Sequence, residues 1–239
     1  TVDAVVISGD IAEARVLTQV LSEMLAVVKK NIYFIIGNHD YFYADVKQVR
    51  ENLKLLCEQE KQLIWLTASE GLQLTEQVVL VGVDGWADAR YGNYSESTVT
   101  LYDSIYIEDL KLARNTGKEA LQNKMQQLAD DDVALLEAQL RNALQREIKK
   151  ILIITHVPPF SECCFYQNEP SDEFYLPFFA TKSIGDKLLE YAEQYPNVLF
   201  EVYCGHTHTQ KEYRPKANLT VSVGKAKTGV PEIQQVINV

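Results

Sequence analysis

Histidine is scarce in this sequence, four among 239 residues, and cysteine is no commoner. The cysteines, Cys57, Cys163, Cys164 and Cys204, form no C-x-x-C pair and no disulfide framework. Their spacing excludes a small cysteine-stapled fold and points to a reduced, cytoplasmic setting. No apolar run reaches 18 residues, so no membrane-spanning helix is expected. No signal peptide, internal repeat or low-complexity linker is visible. Basic residues are outnumbered, with 23 Lys and Arg against 33 Asp and Glu and a net charge of −10. That balance argues against a general nucleic-acid-binding surface. It leaves phosphate esters open as substrates, because bound cations reverse the sign of a local site.

What is present is the patterning of an α/β chain, with 46% apolar residues. Residues 3–7, 32–36, 151–154 and 198–203 read as buried strands. Pairs at Val16/Leu17, Val20/Leu21 and Met24/Leu25 mark an amphipathic helix that ends near Lys29. A second helix runs through Val49, Leu53 and Leu56, and residues 72–83 read as a hairpin. The expected organisation is one domain over 1–239 with a Tyr-rich, helical insertion at about 87–148. Tyr91, Tyr94, Tyr102 and Tyr106 mark its start. Within it, Asp130-Asp131-Asp132 reads as the cap of a helix with Val133, Leu136, Leu140, Leu144 and Ile148 on its apolar face. Short strands are expected around 219–223 and 233–237.

Each of the four buried strands ends in a short polar motif. These are Gly9-Asp10, Gly37-Asn38-His39-Asp40, Thr155-His156 and Cys204-Gly205-His206-Thr207-His208. Ligands of α/β folds collect at the carboxyl ends of strands. All four histidines of the chain lie in these motifs. Chance supplies only roughly 0.05 H-x-H pairs in such a chain, so the one pair present is informative. Imidazole, carboxylate and amide oxygen together suit manganese, iron, zinc or magnesium rather than a soft-metal thiolate site. Asp40 reads equally as an orienter of its neighbours or as a helix N-cap.

The ordered set resembles the calcineurin-like metallophosphoesterases over positions 9 to 208. The resemblance implies a sandwich of two mixed β-sheets flanked by helices. It implies a hydrolase of phosphate esters, monoester or diester, with a dinuclear metal centre. Manganese or iron stand foremost as the two divalent ions, with zinc or magnesium behind them. Asp10 would bridge both metals. Asn38, His156 and His206 would complete one set of ligands, and His208 would serve the other metal. His39 and Asp40 would be the catalytic pair beside them. His39 would face the phosphoryl group, and a hydroxide held by the metals would attack in line. The rivals are a non-enzymatic scaffold on the same fold, a single-metal remnant with weak activity, and a structural metal site. The last is poorly matched to these donors. After Gly9-Asp10 comes Ile-Ala-Glu-Ala-Arg, and position 40 is Asp rather than Glu. Both depart from the Ser/Thr protein phosphatase pattern. A small phosphate ester or nucleotide-like molecule is the expected partner. Membrane binding is not expected, and oligomeric state is not legible.

The loop over 157–181 carries Phe160, Phe165, Tyr166, Phe174, Tyr175, Phe178 and Phe179. Part of it, with Tyr91 and Tyr94, is expected to wall the site, and Tyr166 and Tyr175 are the candidate substrate contacts. The competing expectation is that most of these rings form a small satellite core. The family's leading D-x-H motif is missing, as though the first strand of the sheet were absent. The natural gene product is therefore expected to extend upstream by about 20–40 residues, enough for one strand and a connection. Its reading frame is the check, and a start codon immediately before Thr1 would contradict the expectation.

Overall fold

The computed structural model describes residues 2–239. Strand β1 (Ala4–Ser8) leads through helix α1 (Leu17–Val28) to β2 (Asn31–Ile35). Leu17, Leu21 and Leu25 recur at helical spacing and are the buried stripe of α1. The helix stops at Lys29, which turns left-handed (φ 53°) and donates its N–H to the Leu25 carbonyl. Helix α2 (Val46–Gln59) starts where Asp45 accepts a hydrogen bond from the Gln48 N–H. It buries Val49, Leu53 and Leu56 and feeds β3 (Leu63–Trp65). Strands β1, β2 and β3 form one sheet and run parallel, the arrangement that helical crossovers between strands require.

The second sheet begins with the hairpin β4 (Leu72–Thr75) and β5 (Val78–Gly82). Helices α3 (Asp103–Tyr106), α4 (Glu108–Thr116) and α5 (Lys118–Ala143) then separate β5 from β6 (Lys150–Ile154). The next stretch carries the two-residue strands β7 (Phe165–Tyr166) and β8 (Glu169–Pro170), then α6 (Leu176–Phe179). Helix α7 (Lys182–Gln194) precedes β9 (Leu199–Cys204), β10 (Lys211–Lys216) and β11 (Leu219–Val223). The spatial order is β10-β11-β9-β6-β5-β4, parallel in the middle and antiparallel at both edges.

Alternation along the strands explains the layers. In β2, Ile32 and Phe34 pack toward α1 and α2, while Ile35 belongs to a different cluster. In β5, Val79 and Val81 pack with Leu136 and Leu140 of α5 and with Ile184 and Leu188 of α7. Val78 and Leu80 point the other way and meet Ile35, Leu66, Leu152 and Ile154. The fold is thus a sandwich of two sheets with helices on its outer faces.

Some local readings need correction. Asp132 is not a cap. It lies inside α5, fully buried, with one oxygen on Arg50 at 2.7 Å and the other on the Gly85 N–H at 2.8 Å. No strand forms over 233–237, where Ile233 is 88% exposed and finds nothing to pair with among the described residues. Strand β10, unread in the sequence, is a polar edge strand containing Pro215, so it lacks an apolar signal. The buried pair made by Asp132 should be strongly stabilising to keep intact. Asp132→Ala should lower the free energy of unfolding in denaturant by about 1–3 kcal/mol, because the Gly85 N–H loses its acceptor and Arg50 keeps only Asp84 as a carboxylate partner. A loss below 1 kcal/mol would contradict the role assigned to this pair.

Candidate metal centre

The four motifs meet at one end of the sandwich, and they meet too closely for ordinary side chains. A Cβ on Gly9 would lie 2.6 Å from the Gly37 nitrogen and 2.7 Å from His156 Nδ1. A Cβ on Gly37 would overlap Asp10 Oδ1. Asp10, His206 and His208 all adopt left-handed backbone, with φ of 56°, 67° and 59°. Such conformations cost about 1–3 kcal/mol each and persist where the surroundings over-determine them.

Hydrogen bonds fix which atom each side chain offers. His156 Nδ1 meets the Ser8 carbonyl at 2.8 Å, and His206 Nε2 meets the Phe178 carbonyl at 3.0 Å. A carbonyl can only accept, so each of those ring nitrogens carries the proton. The lone pair of neutral His206 is then on Nδ1, 3.0 Å from Asn38 Oδ1. His156 Nε2 stands 3.0 Å from the same amide oxygen and 3.3 Å from Asp10 Oδ1. Burial alone would raise the Asp10 pKa, but His156 and the other imidazoles hold it well below the usual carboxylate range. Burial alone would lower His156, yet Asp10 beside it pushes it up to about 9. Burial and the neighbouring His156 push His206 down to about 3. Acceptors therefore crowd one point, and without a metal a proton on His156 relieves them. Metal binding to such a set displaces that proton. Counting only His, Cys, Asp and Glu, no group of three suited to a metal occurs among the described residues. The amide oxygen of Asn38 is what brings the imidazoles to a common point. The donor set fits a divalent cation with hard oxygen and imidazole ligands.

The remaining candidates stand apart. His39 is exposed, and its ring stacks on Phe42 at 4.5 Å between centroids. Only its backbone joins the cluster, through a 3.1 Å bond from its N–H to Asp10 Oδ1. Asp40 is fully buried, and both its oxygens are occupied. Oδ1 accepts from the N–H of Ile11 and of Ala12, and Oδ2 from the N–H of Gly37. It therefore clasps the loop after β1 to the loop after β2. The geometry makes it a positioning residue, the orienter of the two expectations and not an N-cap of its own turn. His208 lies exposed at the rim, with no side-chain hydrogen bond to the cluster among the described residues. Burial pushes its imidazole down from the ordinary value, and Asp10 pulls it back up.

With this geometry in place, the sequence profile of the calcineurin-like phosphoesterases matches residues 1–210. The chain belongs to the calcineurin-like phosphoesterase family. No curated protein sequence matches the chain. Among solved structures, a dimetal phosphatase from Danio rerio shares the fold, with a TM-score of 0.55 at 13% identity. The match covers 94% of this phosphoesterase and 72% of the Danio rerio chain. No helix among the described residues is long and apolar enough to cross a membrane.

One residue of this phosphoesterase site escaped sequence reasoning. Asp103, at the start of α3, accepts a 2.8 Å hydrogen bond from Asn38 Nδ2. A carboxylate there decides the amide's orientation and leaves Oδ1 for the imidazoles. Its only sequence signal was an acid at the first turn of a short helix. The aromatic expectations divide. Tyr94 is buried and donates its hydroxyl to the Lys118 carbonyl, so it walls nothing. Phe160 and Phe178 are core. Tyr175 stacks on Phe179, whose ring meets His206 at 5.6 Å. Tyr166 sits in the β7–β8 ribbon, and no contact joins it to the cluster among the described residues. Asp103→Ala should weaken divalent-cation binding about 10–100-fold in calorimetric titration. Asp103→Asn, whose amide oxygen can still accept from Asn38, should recover part of the loss. Unchanged affinity in both variants would contradict the assignment.

Proposed function

We propose that this phosphoesterase hydrolyses phosphate esters with two divalent cations. Asp10, Asn38, His156 and His206 would hold one, and Asp10 with His208 would contribute to the other. One observation carries the reading. Two imidazoles of fixed tautomer, a locked amide and an ionised carboxylate converge where only positive charge makes them compatible. Bound cations supply charge for the phosphoryl oxygens and an activated water. The chain's own residues do the positioning. Asp40 and Asp103 hold the ligating loops and amide in place. His39 stands exposed with its ring steadied by Phe42, and no hydrogen bond occupies that ring among the described residues. It can bind a phosphoryl oxygen and hand a proton to the departing oxygen.

The test uses p-nitrophenyl phosphate and bis(p-nitrophenyl) phosphate with added Mn²⁺. Hydrolysis should vanish with chelator and return with metal, and the preferred compound separates monoester from diester chemistry. A metal-loaded protein that cleaves neither would favour a non-enzymatic scaffold. His39→Ala should reduce turnover about 10²–10⁴-fold with bound metal unchanged by elemental analysis. Loss of metal in that variant would place His39 among the ligands and overturn its role.

A further inference from the structure

A row of aromatic rings begins at His39 and runs outward from the site. His39 stacks on Phe42, and Phe42 meets Tyr106 edge-on at 5.5 Å. Tyr106 in turn contacts Tyr43 at 4.9 Å and lies nearly parallel to Tyr102 at 5.4 Å, 13° between planes. Phe42 is buried, but the far end is open: Tyr43 is 37% exposed and Tyr102 is 64% exposed. The row borders the metal cradle, because Tyr102 immediately precedes Asp103, which bonds Asn38.

This wall is held in place by backbone as well as by rings. Tyr43 adopts left-handed backbone (φ 67°), an outlier for a bulky residue. Its N–H donates to the Tyr106 carbonyl at 2.8 Å, and the Glu108 N–H donates to the Ala44 carbonyl at 3.1 Å. Two segments far apart in sequence are thus pinned together, and the strained residue sits where they join. Strain of this kind collects at ligand contacts. The Arg15 guanidinium covers the Tyr43 ring at 4.6 Å, so a cation also stands at the wall.

We propose that the Tyr43–Tyr106–Tyr102 wall binds the alcohol side of the ester, and that this side carries a planar aromatic ring of nucleobase type. The proposal rests on the role given to His39 above. If His39 serves the departing oxygen, the departing group lies on the His39 side, against this wall. The open face of Tyr102 favours a ring that can stack, with Tyr106 behind it and Arg15 at the Tyr43 end, and base-on-aromatic stacking is tolerant of which base is offered. A net charge of −10 disfavours a long polyanion on the same surface.

The probes are adenosine and ribose, which carry no phosphate and differ by the base. Equilibrium dialysis against the metal-loaded protein should show adenosine binding and no ribose binding. Adenosine should raise KM for p-nitrophenyl phosphate without changing kcat. Tyr102→Ala should weaken adenosine about tenfold, while Tyr102→Phe, which keeps the ring face, stays within about twofold. Equal behaviour of adenosine and ribose with the wild-type protein would overturn the proposal, as would full adenosine binding by Tyr102→Ala. Metal-dependent hydrolysis without adenosine binding sinks the wall and leaves the phosphoesterase reading standing. Adenosine binding without any ester hydrolysis keeps a base-stacking wall and overturns both the phosphoesterase reading and the assignment of the wall to an ester's alcohol side.

Discussion

The carboxylate of Asp84 joins the two sheets where their strands end. Asp84 follows β5, in the larger sheet, yet most of its partners belong to the other side. Oδ1 accepts from the Ile36 N–H, the Trp65 indole and the Thr67 hydroxyl. Oδ2 accepts from the Tyr41 hydroxyl and from Arg50. Its backbone carbonyl accepts the His156 N–H at 2.9 Å. Away from water, each of these groups would be costly unpaired, and together they permit one relative placement of the sheets. The loops carrying Asn38 and His156 are brought face to face by that placement.

Other buried carboxylates repeat the device at smaller scale. Asp40 binds loop to loop, Asp103 binds a helical segment to Asn38, and Asp132 binds α5 to Arg50 and to the Gly85 N–H. A carboxylate offers acceptors in several directions, so one side chain can satisfy donors from segments that share no secondary structure. The arrangement lets irregular, left-handed backbone at Asp10 and His206 persist. Their strain is offset by bonds that would be lost on relaxation.

Around this polar centre the neighbours are apolar. Phe178 and Phe179 flank His206, and Phe42 lies under His39. Poorly polarisable walls strengthen every charge interaction inside them. The shifts of Asp10 and His156 in opposite directions from their ordinary values express this: each stabilises the charged form of the other.

The convergence of Asp10, Asn38, His156 and His206 was legible because it depends on residue type at strand ends, and strand ends are readable from apolar runs that stop at a short polar motif. Asp10, Asn38, His39, His156, His206 and His208 could all be named from that pattern. The family followed from their order. The helices with a regular apolar stripe, such as α1 with Leu17, Leu21 and Leu25, were legible for the same local reason. What the sequence could not disclose were contacts between distant segments. Asp132 looked like a helix cap because three adjacent acids resemble one, and only Arg50, 82 positions away, makes it a buried ion-pair member. Asp40 read equally as an orienter or as an N-cap, and only the N–H groups after β1 show that it is a clasp. Asp103 belonged to no motif, and Tyr102 and Tyr106 marked only the start of an insertion, with nothing to link them to Tyr43. Local sequence determines which atoms are available and where a strand stops. Which donors a buried acceptor meets is decided by packing, because hydrogen bonds at 3 Å depend on three-dimensional closeness that sequence separation does not encode.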